Sequence, residues 1–368
     1  MQIQRAKLLD ALKLVLSGCG EDQVLDSAVF HDGWLSSYNE TISVSAPVPD
    51  LQALKAVVKV KELQKLVQKL KGDTIDIELV NSGTDDAPAY KVTMDCGNTH
   101  AELATFPDAL SGYLGALALD KIEWAELPKD FGSMLALCRL DNHKYKFPMV
   151  HIDGTNIMAD EAIRANFGTL SAPMPKFSLH TAVAKELLAM GILESYCLSE
   201  PWFHVYTKTG SIFSCKTHSE TYPSAQRLNM KKALEALEPV FSVPVPQGLS
   251  ESVDRVETFA VASQTGALGI QIHITSEAML LKTSKEAGNV SESLFWDTAL
   301  PEGTGISFEA SAPFLREAAK KVQEFSVVMH ETVSKVEGLP PEKWPVVKSP
   351  RLLFKGPDFL QLVMVVSK

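Results

Sequence analysis

This sequence has little with which to build a redox or metal centre. Its five cysteines, Cys19, Cys96, Cys138, Cys197 and Cys215, are odd in number and scattered through 368 residues. None forms a CxxC or a Cys/His pair at zinc-ligand spacing, so they read as reduced thiols. No run of about 18 apolar residues occurs, so no segment is expected to span a membrane. Arg5, Lys7 and Asp10 interrupt the start where a secretory leader would need an unbroken apolar stretch. These absences predict a soluble, cytoplasmic chain. Positive charge is also short: 35 Lys+Arg stand against 45 Asp+Glu, a formal net charge of −10. That average argues against a nucleic-acid partner, because phosphate binding needs lysine and arginine. It says nothing of where the charges sit.

Catalytic motifs are missing as well. There is no GxxxxGK[ST] phosphate loop, and Gly303-Thr-Gly305 precedes a strand pattern rather than a helix. No GxSxG elbow or HExxH is present, and His330-Glu331 has no second histidine four residues on. Asp85-Asp86 lies in a polar loop and reads as solvated. His31, His143 and His151 fall near turns, but sequence alone does not bring them together. No cofactor, metal or enzymatic activity is expected.

What is present is an ordinary globular composition, 45% apolar and 22% charged, at a length suited to two or three domains. A helical pattern through Leu8, Leu12 and Leu16 ends at Gly18 and Gly20. Strand patterns follow at 26–31, 34–37 and 41–46, with a turn at Asp32-Gly33. Ala56–Val60 leads into a second helix, Lys61–Leu70, stopped by Gly72, and three strands run from Thr74 to Ala104. The order then recurs. A helix at 131–140 precedes an apolar stretch with a turn at Asp153-Gly154, a strand-to-helix segment ending before Gly191, and strands at 193–217. A third round has a helix over 249–262, a hairpin at 268–282, a strand and helix over 306–322, and a last strand at 359–366. Thr99-His100…Thr105-Phe106-Pro107 reappears locally as Thr217-His218…Thr221-Tyr222-Pro223. Three copies of a unit of about 115–125 residues are longer than solenoid repeats and read as domain duplication. The expected domains are 1–115, 116–228 and 240–368, with 228–246, rich in proline, as the second linker.

The lysines concentrate on the repeated helices. Lys59, Lys61, Lys65, Lys69 and Lys71 face one acid, Glu62, and Lys61, Lys65 and Lys69 fall on one stripe opposite an expected buried face of Leu63, Leu66, Val67 and Leu70. The first helix adds Arg5, Lys7 and Lys13, the middle unit Lys185, and the last helix Arg316, Lys320 and Lys321. Taken alone, a basic helix face is usually just solvated surface. On repeated helices of an otherwise acidic chain it reads as a sequence-independent phosphate-binding surface.

Three α+β units with basic helices resemble a bacterial-type DNA sliding clamp, the beta subunit of the replicative DNA polymerase. The likeness is carried by Val58–Leu66 and the strands to Phe106-Pro107, by Phe177–Leu188 through Tyr222-Pro223, and by Ile306–Leu315 through the apolar end Leu362–Lys368. The resemblance implies three clamp domains, each with two helices on antiparallel sheets, closing as a homodimeric ring whose helices line a hole for duplex DNA. It also implies a replicative polymerase and a clamp loader as partners. Those partners would bind short linear motifs to a pocket that includes Ile163, Val363, Met364, Val365 and Val366. Here the chain departs from the family: its Thr-Asp-Gly-His-Arg stretch is absent, and Met-Pro-Met-Arg-Leu is replaced by Met364-Val-Val-Ser-Lys368. The departures suggest a clamp of a phage or other mobile element. The alternative is a structural or adaptor protein, such as a virion component, built from repeated α+β domains.

Overall fold

A computed structural model describes the chain apart from residues 23–24, 84–88, 107–109, 141–147, 162–163, 219–221, 263–267, 287, 334–339 and 368. Asp85-Asp86, His143, Pro107, Thr221 and Ile163 therefore lie outside the described residues. Two compact units emerge: Met1–Gly132 with Ala182–Ser219, and Ser133–Thr181 with Glu220–Lys368.

In chain order the first stretch is β1 (Gln2–Gln4), α1 (Arg5–Val15), β2 (Ser27–His31), β3 (Trp34–Tyr38), β4 (Ile42–Pro47), β5 (Ala56–Lys59), α2 (Val60–Lys69), β6 (Thr74–Asn81), β7 (Tyr90–Cys96), β8 (Thr99–Ala104) and α3 (Ser111–Ala116). Next come β9 (Ala125–Glu126), α4 (Phe131–Cys138), β10 (Met149–Glu161), β11 (Arg164–His180), α5 (Thr181–Ala189), β12 (Leu193–Ser199), β13 (Trp202–Thr207), β14 (Ile212–Lys216), α6 (Ser224–Glu235) and β15 (Pro239–Pro244). The last stretch is α7 (Leu249–Glu257), β16 (Val261–Ala262), β17 (Leu268–Thr275), β18 (Ala278–Lys285), β19 (Gly288–Phe295), β20 (Gly305–Ser311), α8 (Ala312–Lys321), β21 (Glu324–Val333), β22 (Val346–Gly356), β23 (Phe359–Met364) and β24 (Val366–Ser367).

The first unit holds a four-stranded sheet, β1-β6-β7-β8, and an eight-stranded sheet, β5-β2-β3-β4-β14-β13-β12-β9. Asp32 and Gly33, both at positive φ, make the tight turn that lets β2 and β3 pair with matching twist. β3 and β4 carry buried serines that satisfy one another: Ser36 Oγ donates to Ser45 Oγ at 2.8 Å, and Ser43 Oγ to the Ser37 carbonyl. α1 and α2 pack against each other, burying Leu8, Leu12 and Val15 on one helix and Val60, Leu63 and Val67 on the other. Gly72 follows α2 because a Cβ there would lie 2.6 Å from Cys96 Sγ.

The second unit holds a six-stranded sheet, β10-β11-β23-β22-β21-β15, and a second sheet, β19-β18-β17-β20-β24. One face of the six-stranded sheet carries Ala165, Phe167, Leu353, Leu360 and Leu362, packed with Leu234 of α6. In the other sheet, α7 and α8 pack together and bury Leu249, Val253, Val256, Phe314 and Leu315.

These pairings correct three expectations. The supposed linker 228–246 is α6 and β15, not a tether; its prolines Pro239 and Pro244 sit on an edge strand that, among the described residues, pairs only with β21. Asp153-Gly154 does not turn the chain. Gly154, at φ 61°, makes an irregularity inside one 13-residue strand, where the register with β11 shifts. The recurrence also aligns differently: Thr105 donates both its N–H and its hydroxyl to the Tyr90 carbonyl, and Thr217 does the same to the Pro201 carbonyl. Thr105 thus corresponds to Thr217, whereas the sequence match had paired Thr99 with it.

Candidate nucleic-acid interface

Lys61, Lys65 and Lys69 are exposed along α2, while Val60, Leu63 and Val67 are buried on the opposite side of the same helix. With Lys71 just beyond, they form a cationic stripe in which no lysine has a carboxylate within 4.0 Å among the described residues. The amphipathic spacing itself produces this: apolar anchoring at three- and four-residue intervals forces the residues between them outward. Lys185 on α5 and Lys320 on α8 are exposed in the same manner. Exposed lysine heads on packed stems are hydrated, mobile point charges, suited to phosphates rather than base edges.

The other predicted cations divide. Lys7 pairs with Asp50 at 3.3 Å and Lys13 with Asp10 at 2.9 Å, both on exposed surface where such pairs contribute little and leave the charge accessible. Arg5 is half-buried, and its Nε has no hydrogen-bond partner among the described residues. Two of the predicted cations are engaged within the fold. Arg316 is held by Asp254 (2.6 Å) and Glu257 (2.5 Å) of α7, so its charge is compensated within the helix pair. Lys321 donates to the Leu137 and Arg139 carbonyls at 2.9 and 3.1 Å and pairs with Glu317 at 2.6 Å. It caps the end of α4 and is a structural cation.

Sequence reading missed the group to which Lys321 belongs. The Arg164 side chain is wholly buried; its Nε pairs with Glu161 at 2.5 Å, its Nη1 with Glu317 at 2.6 Å, and its guanidinium stacks 4.0 Å from the Phe314 ring. The only hint in sequence was an arginine opening an apolar strand. Its main partner is 153 positions away.

Val363 and the predicted C-terminal strand fall on β23, which is interior to the six-stranded sheet, with Val363 opposite Arg164 and Leu352. Val363 is fully buried, Val365 is buried, and Met364 is partly buried against the α6-side cluster with Tyr222 and Leu228. Val366 pairs through its backbone with Glu309. Beside this cluster Tyr222 donates to Asp160 at 2.6 Å, and Arg227 pairs with the other Asp160 oxygen at 2.6 Å. The Tyr222 ring stacks on His151.

The histidines and cysteines are locally engaged. His31 bonds Ser36, His151 bonds Ser178 and His204 bonds Ser214, and burial pulls both His151 and His204 down to about 4. Burial pushes the Cys19 and Cys138 thiols up to about 12, the state of unreactive core cysteines. Among the described residues no group of three or more His, Cys, Asp or Glu is arranged to hold a metal ion, and no helix is long and apolar enough to cross a membrane.

No protein-family model matches the sequence, and no curated protein matches it. Solved structures do. The DNA polymerase sliding clamp of Bacillus subtilis superposes with a TM-score of 0.74 at 15% identity, covering 100% of this chain and 98% of that one. The beta subunit of the Streptococcus pyogenes DNA polymerase gives 0.71 at 15% identity, covering 100% and 99%. The Helicobacter pylori beta clamp, solved with a DNA ligase peptide, gives 0.70 at 13% identity and covers both chains completely. At such low identity the shared property is architecture: end to end, this chain is built on the fold of the bacterial DNA sliding clamps.

Proposed function

We propose that this protein is a DNA sliding clamp, a non-catalytic processivity factor that closes as a homodimeric ring around duplex DNA and tethers a replicative polymerase. The observation that carries this reading is the uncompensated lysine stripe of α2, presented by a chain whose whole length follows the clamp fold. Lys61, Lys65, Lys69 and Lys71, with Lys185, Lys320, Arg5, Lys7 and Lys13, are the cations assigned to DNA. They would meet phosphates without reading sequence, so binding depends on salt and not on base identity.

Repeat boundaries at 1–115, 116–228 and 240–368 fit this reading. The β4–β14 pairing joins the first repeat to the second within one sheet, and the β11–β23 pairing joins the second to the third within another. Each compact unit also ends a sheet on an unpaired strand, β8 in the first and β19 in the second. Open edges recruit a further strand, and a second copy of the chain supplies one for each. A clamp loader and a polymerase of phage or other mobile-element origin are the assigned partners. The Helicobacter pylori clamp was solved with a peptide of DNA ligase, which supports assigning short linear motifs to the surface around Met364, with Ile163, Val363, Val365 and Val366.

The test is retention. Protein placed on nicked circular DNA by a loader should remain bound, and linearising the circle should release it. Changing Lys61, Lys65 and Lys69 to Glu should reduce loading on the circle without unfolding the chain. Equal retention on circular and linear DNA would contradict the proposal.

A further inference from the structure

The α1–α2 pair of the first unit and the α7–α8 pair of the second differ in charge. α1 and α2 carry six cations and two acids, whereas α7 and α8 carry four of each. Pairing widens the difference. On α2, Lys61, Lys65 and Lys69 are exposed and have no carboxylate within 4.0 Å among the described residues. On α7 and α8 most charges are engaged: Arg255 with Glu292 at 2.7 Å, Arg316 with Asp254 and Glu257, and Lys321 with Glu317. One cation and one acid of this pair, Lys320 and Glu251, have no ion-pair partner among the described residues, and both are exposed.

These two charges share one space. Glu251, in the first turn of α7, and Lys320, in the last turn of α8, both line a groove of about 540 Å³ between the helices. Asp254 and Arg316, which line it as well, already neutralise each other. Each free charge has a local reason for its place, an acid at a helix start and a base at a helix end, where both complement the helix dipole. Their joint effect on a phosphate is another matter. A lone lysine attracts it over about one Debye length, ~8 Å at physiological salt, but a lysine beside an unpaired carboxylate presents little net charge at that range. The α2 stripe has no such offset: its one acid, Glu62, stands among Lys61, Lys65 and Lys69.

From this contrast we infer that the grip on DNA is uneven: α1 and α2 of the first repeat hold the phosphates, and Glu251 offsets Lys320 so that the α7–α8 pair is a near-neutral wall. The inference rests on the DNA-binding reading and deepens it, because it ranks the assigned cations and gives one acid a role in setting their strength. Glu251 acts by subtraction. It needs no contact with DNA, only its place in the groove with Lys320, and neutralising it turns a silent helix pair into a second holding surface. A protein that must both stay on DNA and move along it gains from few phosphate contacts, since each further one adds to the electrostatic hold.

The test is a charge cycle on the full-length protein, read as the slope of log affinity against log salt for a labelled DNA duplex. Lys61→Ala and Lys65→Ala should each lower the slope by about 0.9, one phosphate contact apiece. Lys320→Ala should lower it by less than about a third of that while Glu251 is present. Glu251→Gln should steepen it, and Lys320→Ala made in the Glu251→Gln background should now cost about 0.9, so that the two changes are not additive. All four side chains are exposed, so the variants should fold, and unchanged thermal midpoints confirm it. A full effect of Lys320→Ala with Glu251 in place, or no effect of Glu251→Gln, would overturn the offset while leaving α2 as a DNA surface. Slopes unmoved by every change, those on α2 included, would overturn both the offset and the DNA-binding reading beneath it.

Discussion

At the scale of single residues, the molecule separates charges that hold the fold from charges left for a ligand. Arg164 belongs to the first kind. Removing Glu317 takes one of its two carboxylate partners and leaves the guanidinium to Glu161, so Glu317→Ala should destabilise the second unit by about 1.5–3 kcal/mol in chemical denaturation, the loss of one charged hydrogen bond. The same change frees Lys321, and a loss below about 1 kcal/mol would mean that the group is solvated. The buried histidines set an acid limit. His151 and His204 stay neutral in the fold down to about 4, whereas in the unfolded chain they take up protons near 6.5. Their contribution is therefore complete above about pH 6.5 and declines as pH falls toward 4, with a slope of at most ~1.4 kcal/mol per pH unit for each. Denaturation midpoints measured across that window should fall with acid, and His204→Asn should flatten the decline. Under the proposed function Lys61, Lys65 and Lys69 belong to the second kind. Each Lys→Ala change should reduce the salt slope of DNA binding by roughly one unit and weaken binding equally on unrelated sequences. A sequence-dependent loss would count against phosphate contact.

At the scale of elements, the exposed edges are where the fold invites a partner. Phe295, at the end of β19, is 73% exposed. Phe295→Lys should thus leave thermal stability nearly unchanged yet weaken self-association in light scattering; a large fall in stability would mean that the side chain packs within its own chain. The elements also show what the sequence could convey. α1, α2, α8 and the β2–β3 hairpin were legible because each is locally determined: apolar spacing, a stopping glycine, a turn residue at positive φ. β10, α6 and β15 were misread for the opposite reason. A glycine at an irregularity looks like a glycine in a turn, and prolines on an edge strand look like a linker until the neighbouring strand is known. β21 and β22 escaped notice because their pairing, and not their pattern, defines them. Of the candidate site, the α2 stripe could be read from spacing alone. The neutralisation of Arg316 by Asp254 and Glu257, and of Lys321 by the end of α4, depends on residues distant in sequence.

At the scale of the whole molecule, the net charge of −10 and the lysine stripe are compatible. Under the proposed function, an acidic chain that presents a row of uncompensated lysines along α2 would accept DNA there while its acidic surface repels it. Weak, sequence-independent contacts cannot by themselves give long residence; topological closure can, because a closed ring leaves DNA only at an end. That distinction is the account's central claim, and one measurement addresses it most directly: the lifetime of the loaded protein on nicked circular DNA compared with the same molecule after linearisation, at physiological salt. The account predicts persistent binding on the circle and rapid loss from the linear form. Lifetimes that are equal on the two, and that shorten with salt to the same extent, would contradict it.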